Sequence, residues 1–284
     1  VGIIVSVLLR RQWHAVALLA ERPFALTASF AVLGSALHLL SLSGTSLVEE
    51  EHLCWYFLTT TFVTLRAVEL VIQRDAVWRE SVLLLVCMRV AHAWNQTGTA
   101  WNSKGAAGTG AIARRHDIVE WLMGHERVQY WLFVAHCVAV LYVVVQWVMW
   151  NRQWFRPLAG SLAILAVIST VFFKWHSDGD KLAAKLTYTL LALSLATALA
   201  FSGAIYNTVR ARLFDVTTHT VVLLVVLGTL LHRAPNAPLI GLFVVQGFLL
   251  HRMMRKAPSA WLRWLIFEWF GIAAMFELGN SNST

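Results

Sequence analysis

The feature that most constrains this chain is a succession of long apolar runs, most of them close to the about 20 residues that a helix needs to cross a bilayer core. Only α-helices and closed barrels satisfy their backbone hydrogen bonds at that depth. These runs are too long and too continuous for the alternating strands of a barrel. The sequence therefore predicts an all-α fold, a polytopic bundle of transmembrane helices.

The composition indicates the same fold class. Charged residues make up 13% of the chain, about half of the roughly 25% that is typical of a soluble domain. This excludes a disordered chain, a secreted disulfide scaffold and an ordinary soluble enzyme. The formal net charge of +8 does not indicate a nucleic-acid partner, because the basic residues are scattered between apolar runs rather than clustered on one element.

The apolar runs predict about nine spans and a partial first helix. The predicted helices cover residues 1–9 (partial), 23–42, 53–73, 80–94, 128–149, 157–173, 185–206, 217–232, 238–253 and 261–278. No repeat and no Pro/Ser/Gly-rich linker divides them, so we expect one membrane domain over residues 1–284. Because the chain starts without Met and ends without a polar tail, we expect it to be a piece of a longer protein.

The placement of Lys and Arg predicts the orientation. Basic residues are denser in one alternate set of connections, which comprises residues 10–22, 74–79, 150–156, 207–216 and 254–260. Because cytoplasmic loops of membrane proteins carry an excess of Lys and Arg, we predict that this set is cytosolic. The opposite set comprises residues 43–52, 95–127, 174–184, 233–237 and 279–284, and we predict that it is non-cytosolic.

The most unusual polar segments all fall in the predicted non-cytosolic set. They are Glu49-Glu50-Glu51-His52, Asn95-Gln96-Thr97-Gly98, Ser177-Asp178-Gly179-Asp180 and Gly279-Asn280-Ser281-Asn282-Ser283. Both Asn-X-Ser/Thr sequons, at Asn95 and Asn282, lie there as well, and their glycosylation is left open. We therefore predict that this face of the bundle is the working face.

The acidic string Glu49–His52 stands at the entrance of a predicted helix, directly before Trp55. Acidic residues in a first turn complement the positive end of the helix dipole, which explains one or two of the carboxylates. Three adjacent carboxylates repel one another, so a cationic or metal-bearing partner is the alternative. We keep both interpretations, capping and cation binding.

The amides and hydroxyl of Asn95, Gln96 and Thr97 follow Trp94 at the end of another predicted helix. Groups of this kind beside an aromatic ring suit hydrogen bonding to a sugar or a phosphate. A capped helix end, or glycosylation of Asn95, is the alternative.

Ionisable residues within the spans are further candidates, because they are costly in a bilayer and usually face an interior or a watery cavity. Arg66 and Glu69 are i, i+3 neighbours that can pair on one helix. Arg89, Glu268 and Glu277 have no local partner, although Arg89 and Glu277 lie near helix ends and could reach the interface.

Other residue types point to structure rather than to chemistry. The histidines within spans are predicted to be hydrogen-bonded inside the bundle, and the cysteines are predicted to be buried without metal-site spacing. These residues are His38, His136, His219, Cys54, Cys87 and Cys137. No catalytic motif occurs, so we predict no catalytic residue and no metal site in this chain.

Three of these segments also carry a resemblance. The string from Ser46 to Phe57, Arg89 with Trp94-Asn-Gln-Thr-Gly98, and Trp269-Phe270-Gly271 before Gly279-Asn-Ser-Asn-Ser283 occur in this order. They resemble the C-terminal membrane domain of the GPI ethanolamine phosphate transferases, most closely the type 2 members. The resemblance covers most of residues 25–284, although the middle, about 130–260, matches only in hydropathy.

The resemblance implies a multi-pass protein of the endoplasmic reticulum membrane whose family moves phosphoethanolamine from phosphatidylethanolamine to a mannose of the glycosylphosphatidylinositol precursor, the second mannose for type 2. It implies a luminal catalytic domain N-terminal to the spans, with a Thr nucleophile and a divalent metal ion, which we expect to be zinc. It also implies further spans after the last one here, and a small membrane subunit that stabilises the enzyme. None of the catalytic domain is in this chain, so we expect the chain alone to be inactive.

On this basis we expect the bundle to present lipid substrates to the luminal domain. The expected substrate-binding residues are Glu49, Glu50, Glu51, His52, Trp55, Arg89, Asn95, Gln96, Thr97 and Asn280. The acidic string would receive the ethanolamine ammonium or support the metal edge of the domain, and the amides would contact glycan or phosphate. The alternatives are a transporter or channel and a non-catalytic scaffold subunit.

Overall fold

The computed structural model describes residues 21–42, 48–94, 121–122, 124–150, 155–175, 181–205, 209–232 and 234–279. These ranges contain nine α-helices, one 3₁₀ turn and no strand. The helices are α1 (Ala25–Leu42), α2 (Val48–Ile72), α3 (Trp78–Trp94), α4 (Glu126–Trp150), α5 (Phe155–Trp175), α6 (Lys181–Ile205), α7 (Val209–Leu231), α8 (Ala237–Met253) and α9 (Ala260–Gly279), with the 3₁₀ turn at Ala234–Asn236.

The all-α prediction is confirmed, and each predicted helix from 23–42 onward corresponds to one of these helices. The predicted partial helix 1–9 lies outside the described residues. By length and composition, four of the described segments can cross a membrane: Cys54–Ile72, Glu126–Gln146, Lys181–Ser202 and Ala234–Met253. The predicted number of about nine spans is therefore not confirmed. The apolar parts of α1, α5 and α7 are shorter, and charged residues interrupt α3 and α9.

The chain divides into two compact units, with the boundary inside α8. Unit 1 comprises Val1–Ile118 and Leu242–Thr284, and unit 2 comprises Val119–Gly241. Our expectation of one membrane domain stays a prediction.

Trp269 of α9 lies at the centre of the core of unit 1. Its ring contacts Phe30 of α1, and Trp55 and Phe62 of α2, in edge-to-face arrangements with centroids 6.1–6.4 Å apart. Gly34 allows α1 to approach this ring closely, because a Cβ added at Gly34 would lie 2.8 Å from the Trp269 ring. Aromatic burial of this kind contributes strongly to stability, so α9 is an integral part of unit 1.

A buried ion pair in α2 fixes the start of α1. Arg66 donates from Nη1 to Oε2 of Glu69 over 2.7 Å, which confirms the predicted i, i+3 pair. Glu69 also accepts the backbone N–H of Thr27 at 3.0 Å and the Thr27 hydroxyl at 2.9 Å. Because N–H groups in the first turn of a helix have no partner within the helix, the carboxylate caps α1 from a neighbouring helix, while the Arg66 guanidinium lies 3.5 Å from the ring centroid of Phe24.

Two exposed ion pairs mark the same end of unit 1. Lys256 donates to Asp75 at 2.7 Å, and Arg252 lies 2.8 Å from Glu80. The first contact joins the connections 74–79 and 254–260, which the sequence assigns to one side of the membrane, and the second joins the end of α8 to the start of α3. The hydrogen bond from Lys256 lowers the pKa of Asp75 below its ordinary value, and the backbone N–H of Val77 contributes further.

Neutral hydrogen bonds link the helices of unit 2. The Ser194 hydroxyl donates to the Ala159 carbonyl at 2.7 Å and accepts from Nε2 of His219 at 2.9 Å. Nε2 of His136 lies 2.7 Å from the Thr229 hydroxyl. His136 and His219 are thus buried and hydrogen-bonded, as the sequence predicts for structural histidines.

Candidate functional site

Four side chains form a polar cluster at one end of unit 1. Arg89 of α3 reaches the hydroxyl of Tyr56 of α2 with a long contact of 3.5 Å. The Tyr56 ring stacks on His92 of α3, with centroids 3.9 Å apart and planes inclined by 16°. Nδ1 of His92 lies 3.1 Å from Oε1 of Glu277 of α9. We call Arg89, Tyr56, His92 and Glu277 the polar cluster.

The helices place these side chains for simple geometric reasons. Arg89 and His92 are three residues apart, so they share one face of α3. Tyr56 lies near the beginning of α2, and Glu277 lies near the end of α9. The polar cluster therefore brings together the start of α2 and the ends of α3 and α9.

The polar cluster is open at one end and closed at the other. Arg89 is exposed, Tyr56 is half-buried, and His92 and Glu277 are buried. When Nδ1 of His92 bears the proton, it donates a hydrogen bond to Oε1 of Glu277, and this contact fixes the tautomer and the orientation of the imidazole. Oε2 of Glu277 is buried and has no hydrogen-bond partner in the part of the chain that the structure describes.

The predicted binding segments lie close to residues of the polar cluster in the sequence. Glu49–His52 forms part of the first turns of α2, one to two turns before Tyr56, and its side chains lie outside the description. Asn95, Gln96, Thr97 and Asn280 lie outside the described residues. They follow directly, in sequence, the ends of α3 and α9 that the polar cluster joins.

Of the predicted site residues whose side chains are described, Arg89 belongs to the polar cluster and Trp55 does not. Trp55 is buried in the core, where its ring packs against Trp269 and lies 4.4 Å from His38 between centroids. The packing of α1, α2 and α9 encloses the ring. A role of Trp55 in substrate binding stays a prediction.

Sequence reasoning missed the contact between His92 and Glu277, because 185 positions separate them and no spacing pattern connects such residues. Glu277 had a signal, since it is an ionisable residue without a partner on its own helix. His92 had none beyond its residue type.

Glu268, another ionisable residue within a predicted span, lies on the exposed face of α9. It does not face the interior of unit 1, because α9 turns Trp269 and Phe270 inward and so directs Glu268 to the outside, and its role as a site residue stays a prediction. In the described ranges, no three His, Cys, Asp or Glu side chains are close enough to share a metal ion, so we derive no metal chemistry from these residues.

Comparison with known proteins identifies the family. The sequence model of the GPI ethanolamine phosphate transferase membrane region matches residues 1–182. The chain belongs to this family. Membership in the GPI ethanolamine phosphate transferases confirms the resemblance that the acidic string and the Trp-Asn-Gln-Thr-Gly segment carry.

Two relatives have names from the same family. The chain is 23% identical to human GPI ethanolamine phosphate transferase 2, catalytic subunit, over 320 aligned positions, which cover 89% of this chain and 31% of the human protein. It is 34% identical to GPI ethanolamine phosphate transferase 2 of Candida glabrata over 64 positions, which cover 22% of this chain and 7% of the yeast protein. No solved structure matches the chain.

Proposed function

We propose that this chain is the membrane portion of an enzyme that transfers phosphoethanolamine from phosphatidylethanolamine to the second mannose of the glycosylphosphatidylinositol precursor. The match of residues 1–182 to the membrane region of the transferase family carries the proposal. The name of the human relative, which aligns with 89% of the chain, supports the type 2 assignment. The chain spans about a third of that relative, so the reaction belongs to the whole enzyme.

The net reaction exchanges one phosphodiester bond for another. The bond between phosphorus and the diacylglycerol oxygen breaks, and a bond between phosphorus and a mannose oxygen forms. The mannose hydroxyl proton passes to the diacylglycerol oxygen, which leaves as an alcohol. The reacting lipids are both held in a bilayer, so positioning their polar groups at one membrane surface supplies the proximity that such a transfer requires.

The part of this chain in the reaction is to present the lipids to a luminal catalytic domain. The convergence of the start of α2 with the ends of α3 and α9 supports this role, because the three predicted binding segments belong to the start of α2 or follow the ends of α3 and α9 in the sequence. Glu49–His52 would receive the ammonium group or support the catalytic domain, and Asn95, Gln96, Thr97 and Asn280 would contact glycan or phosphate. The membrane is that of the endoplasmic reticulum, and a small membrane subunit stabilises the bundle.

The full-length enzyme that contains this chain can be tested in cells that lack their own second-mannose transferase. We expect it to restore phosphoethanolamine on the second mannose, measured by mass spectrometry of the glycosylphosphatidylinositol lipids. The isolated chain should not restore it, because the catalytic domain is absent. Normal expression of the full-length enzyme without any modified mannose would refute the proposed function.

The presenting role has a separate test in the full-length enzyme. Glu50→Ala and Asn95→Ala should each lower the transfer activity about tenfold, the scale of one lost charge-assisted or buried polar contact. Glu21→Ala provides the control, since Glu21 is an exposed acidic residue before α1, away from the polar cluster. Full activity of both Glu50→Ala and Asn95→Ala at normal expression would leave the bundle as an anchor only.

The orientation is tested by labelling single cysteines introduced at positions 50 and 281 in sealed membranes. An impermeant reagent added from the luminal side should label both, whereas cytosolic reagent should label neither. Labelling of the two positions from opposite sides would contradict a shared luminal surface. Transport of a solute by the reconstituted protein would instead support the transporter alternative.

A further inference from the structure

Glu277 has an unused hydrogen-bond acceptor in a place where proteins rarely leave one. The residue is 7% exposed, and Oε2 has no partner in the described part of unit 1. A buried polar atom without a partner costs about 1–3 kcal/mol, and more for a charged group. Such an atom in a folded protein calls for an explanation, and a missing ligand is one of them.

The fold is able to satisfy a buried carboxylate completely, as Glu69 shows. Its two oxygens accept three hydrogen bonds, from Arg66 and from the backbone and hydroxyl of Thr27. Glu277 has only His92. Oε2 of Glu80, near the start of α3, is likewise buried without a partner in the described residues, so what distinguishes Glu277 is its position in the polar cluster, which also contains the exposed Arg89.

The exposed end of the polar cluster has a positive charge, that of the Arg89 guanidinium. Arg89 is exposed, and its hydrogen bond to Tyr56 is its one hydrogen bond within the described ranges. A guanidinium has five N–H donors in a planar fork, so most of them are available. Such a fork binds phosphate oxygens in pairs, and the Tyr56 hydroxyl beside it adds a further donor.

We propose that the polar cluster binds a phosphoethanolamine group, with the phosphate at Arg89 and the ammonium at Glu277. The ammonium N–H groups donate to Oε2 of Glu277, and the stacked rings of Tyr56 and His92 form the wall between the two charges. This assignment rests on the proposed function for the choice of ligand. It places the recognition of the ammonium on α3 and α9, which contribute His92 and Glu277.

The binding test uses the full-length enzyme purified in detergent and reconstituted into nanodiscs of phosphatidylcholine with a rising fraction of phosphatidylethanolamine. The lipids that remain on the protein are counted by native mass spectrometry. We expect preferential retention of phosphatidylethanolamine, because the trimethylated ammonium of phosphatidylcholine has no N–H to donate to Glu277. Equal retention of the two lipids by the unaltered protein would overturn the proposal.

Two variants locate the binding. Glu277→Gln should weaken the preference for phosphatidylethanolamine over phosphatidylcholine about tenfold, the scale of one lost charge-assisted hydrogen bond. Arg89→Gln should weaken retention of both lipids to a similar extent, because both have the phosphate. Arg89 is exposed, so its replacement leaves the core intact and keeps the test valid if Glu277→Gln fails to fold.

The matched control is Arg79→Gln, which removes an exposed Arg at the other end of α3. It should leave both the retention and the preference unchanged. A purely structural His92–Glu277 pair would change the stability of the protein but not the choice between the two lipids. An unchanged preference in Glu277→Gln together with unchanged retention in Arg89→Gln would therefore overturn the proposal.

A competition arm distinguishes recognition of the head group alone from recognition of the whole lipid. Soluble phosphoethanolamine displaces the retained lipid in the first case and leaves it in place in the second, and either result supports the site. The lipid count does not depend on turnover. An enzyme that binds phosphatidylethanolamine through the polar cluster but modifies no mannose would refute the proposed function and keep this site.

Discussion

Glu69 and Glu277 are both buried carboxylates of unit 1, but they differ in how many hydrogen bonds they accept. Tyr56, which belongs to the polar cluster with Glu277, and Glu69 are thirteen residues apart on α2, which is about 20 Å of helix. Glu69 accepts three hydrogen bonds and pairs with Arg66, whereas Glu277 has His92 on one oxygen and no described partner on the other. The satisfied carboxylate of Glu69 connects α1 with α2, whereas the open oxygen of Glu277 is the one that we assign to a ligand.

The largest expected loss of stability follows removal of the negative charge of Glu69. Glu69→Gln leaves the buried guanidinium of Arg66 uncompensated, so we expect the free energy of unfolding to fall by about 3–5 kcal/mol. The same change at Glu277, Glu277→Gln, should cost less than about 1 kcal/mol, because one of its oxygens has no partner to lose. The measurement uses Cys87, whose thiol is buried in unit 1. The protein is heated in the presence of an alkylating reagent, and mass spectrometry gives the temperature at which the thiol becomes accessible.

A second substitution checks the cause of that loss. Adding Arg66→Met to Glu69→Gln removes the unpaired charge and should recover much of the stability. Equal losses in the two single carboxylate variants, or no recovery in the double variant, would show that hydrogen-bond satisfaction does not distinguish the two sites.

The next largest change in stability is expected where α1 packs closely against Trp269 of α9. Gly34→Ala places a Cβ 2.8 Å from the Trp269 ring, and overpacking of this kind costs about 1–3 kcal/mol. Gly271→Ala on α9 is the matched control, since its Cβ meets nothing within 4 Å, and replacing a helical Gly with Ala favours the helix. The Cys87 assay should show a loss for the first variant and none for the second.

A smaller effect is expected in unit 2, where the buried contacts are neutral. Ser194→Ala removes the acceptor of the His219 N–H and the donor to Ala159, so we expect a loss of about 1 kcal/mol. Cys137 is buried in unit 2, and its alkylation is the measurement. A loss as large as that of Glu69→Gln would contradict the view that charge makes the difference.

The smallest effect belongs to the exposed pair of Asp75 and Lys256. Because Lys256 is 73% exposed, Asp75→Asn should cost less than about 1 kcal/mol. The pKa of Asp75 is lowered in the folded protein, so its contribution is present above the ordinary carboxyl pKa and disappears as the pH falls through the lowered value. The stabilities of Asp75→Asn and the unaltered protein should therefore differ at neutral pH and converge in acid, whereas a constant difference would refute this account.

Local patterns in the sequence predict much of the fold. Long apolar runs predict helices because a backbone inside a bilayer must satisfy its own hydrogen bonds. The pair of Arg66 and Glu69 follows from helical spacing. Distant contacts are beyond such patterns. Nothing local connects Thr27 with Glu69, or His92 with Glu277, since tertiary packing alone brings them together. The inward direction of Trp269, which turns Glu268 outward, likewise depends on neighbouring helices.

The candidate site could be predicted in part. Composition and the resemblance single out Glu49–His52 and Arg89, because charges at a membrane surface are unusual on their own. The partner of Glu277 could not be predicted, since only the tertiary packing of α3 against α9 brings His92 to it.

The discontinuity of unit 1 has a consequence for biogenesis. Trp269 packs with Phe30, Trp55 and Phe62, yet all of unit 2 is translated between α3 and α9. At about 5–20 residues per second, the ribosome needs on the order of ten seconds to make that insertion. Until Trp269 is synthesised, the rings of α1 and α2 that pack against it are uncovered. An intramembrane chaperone or a quality-control protease would therefore have access to them during that interval.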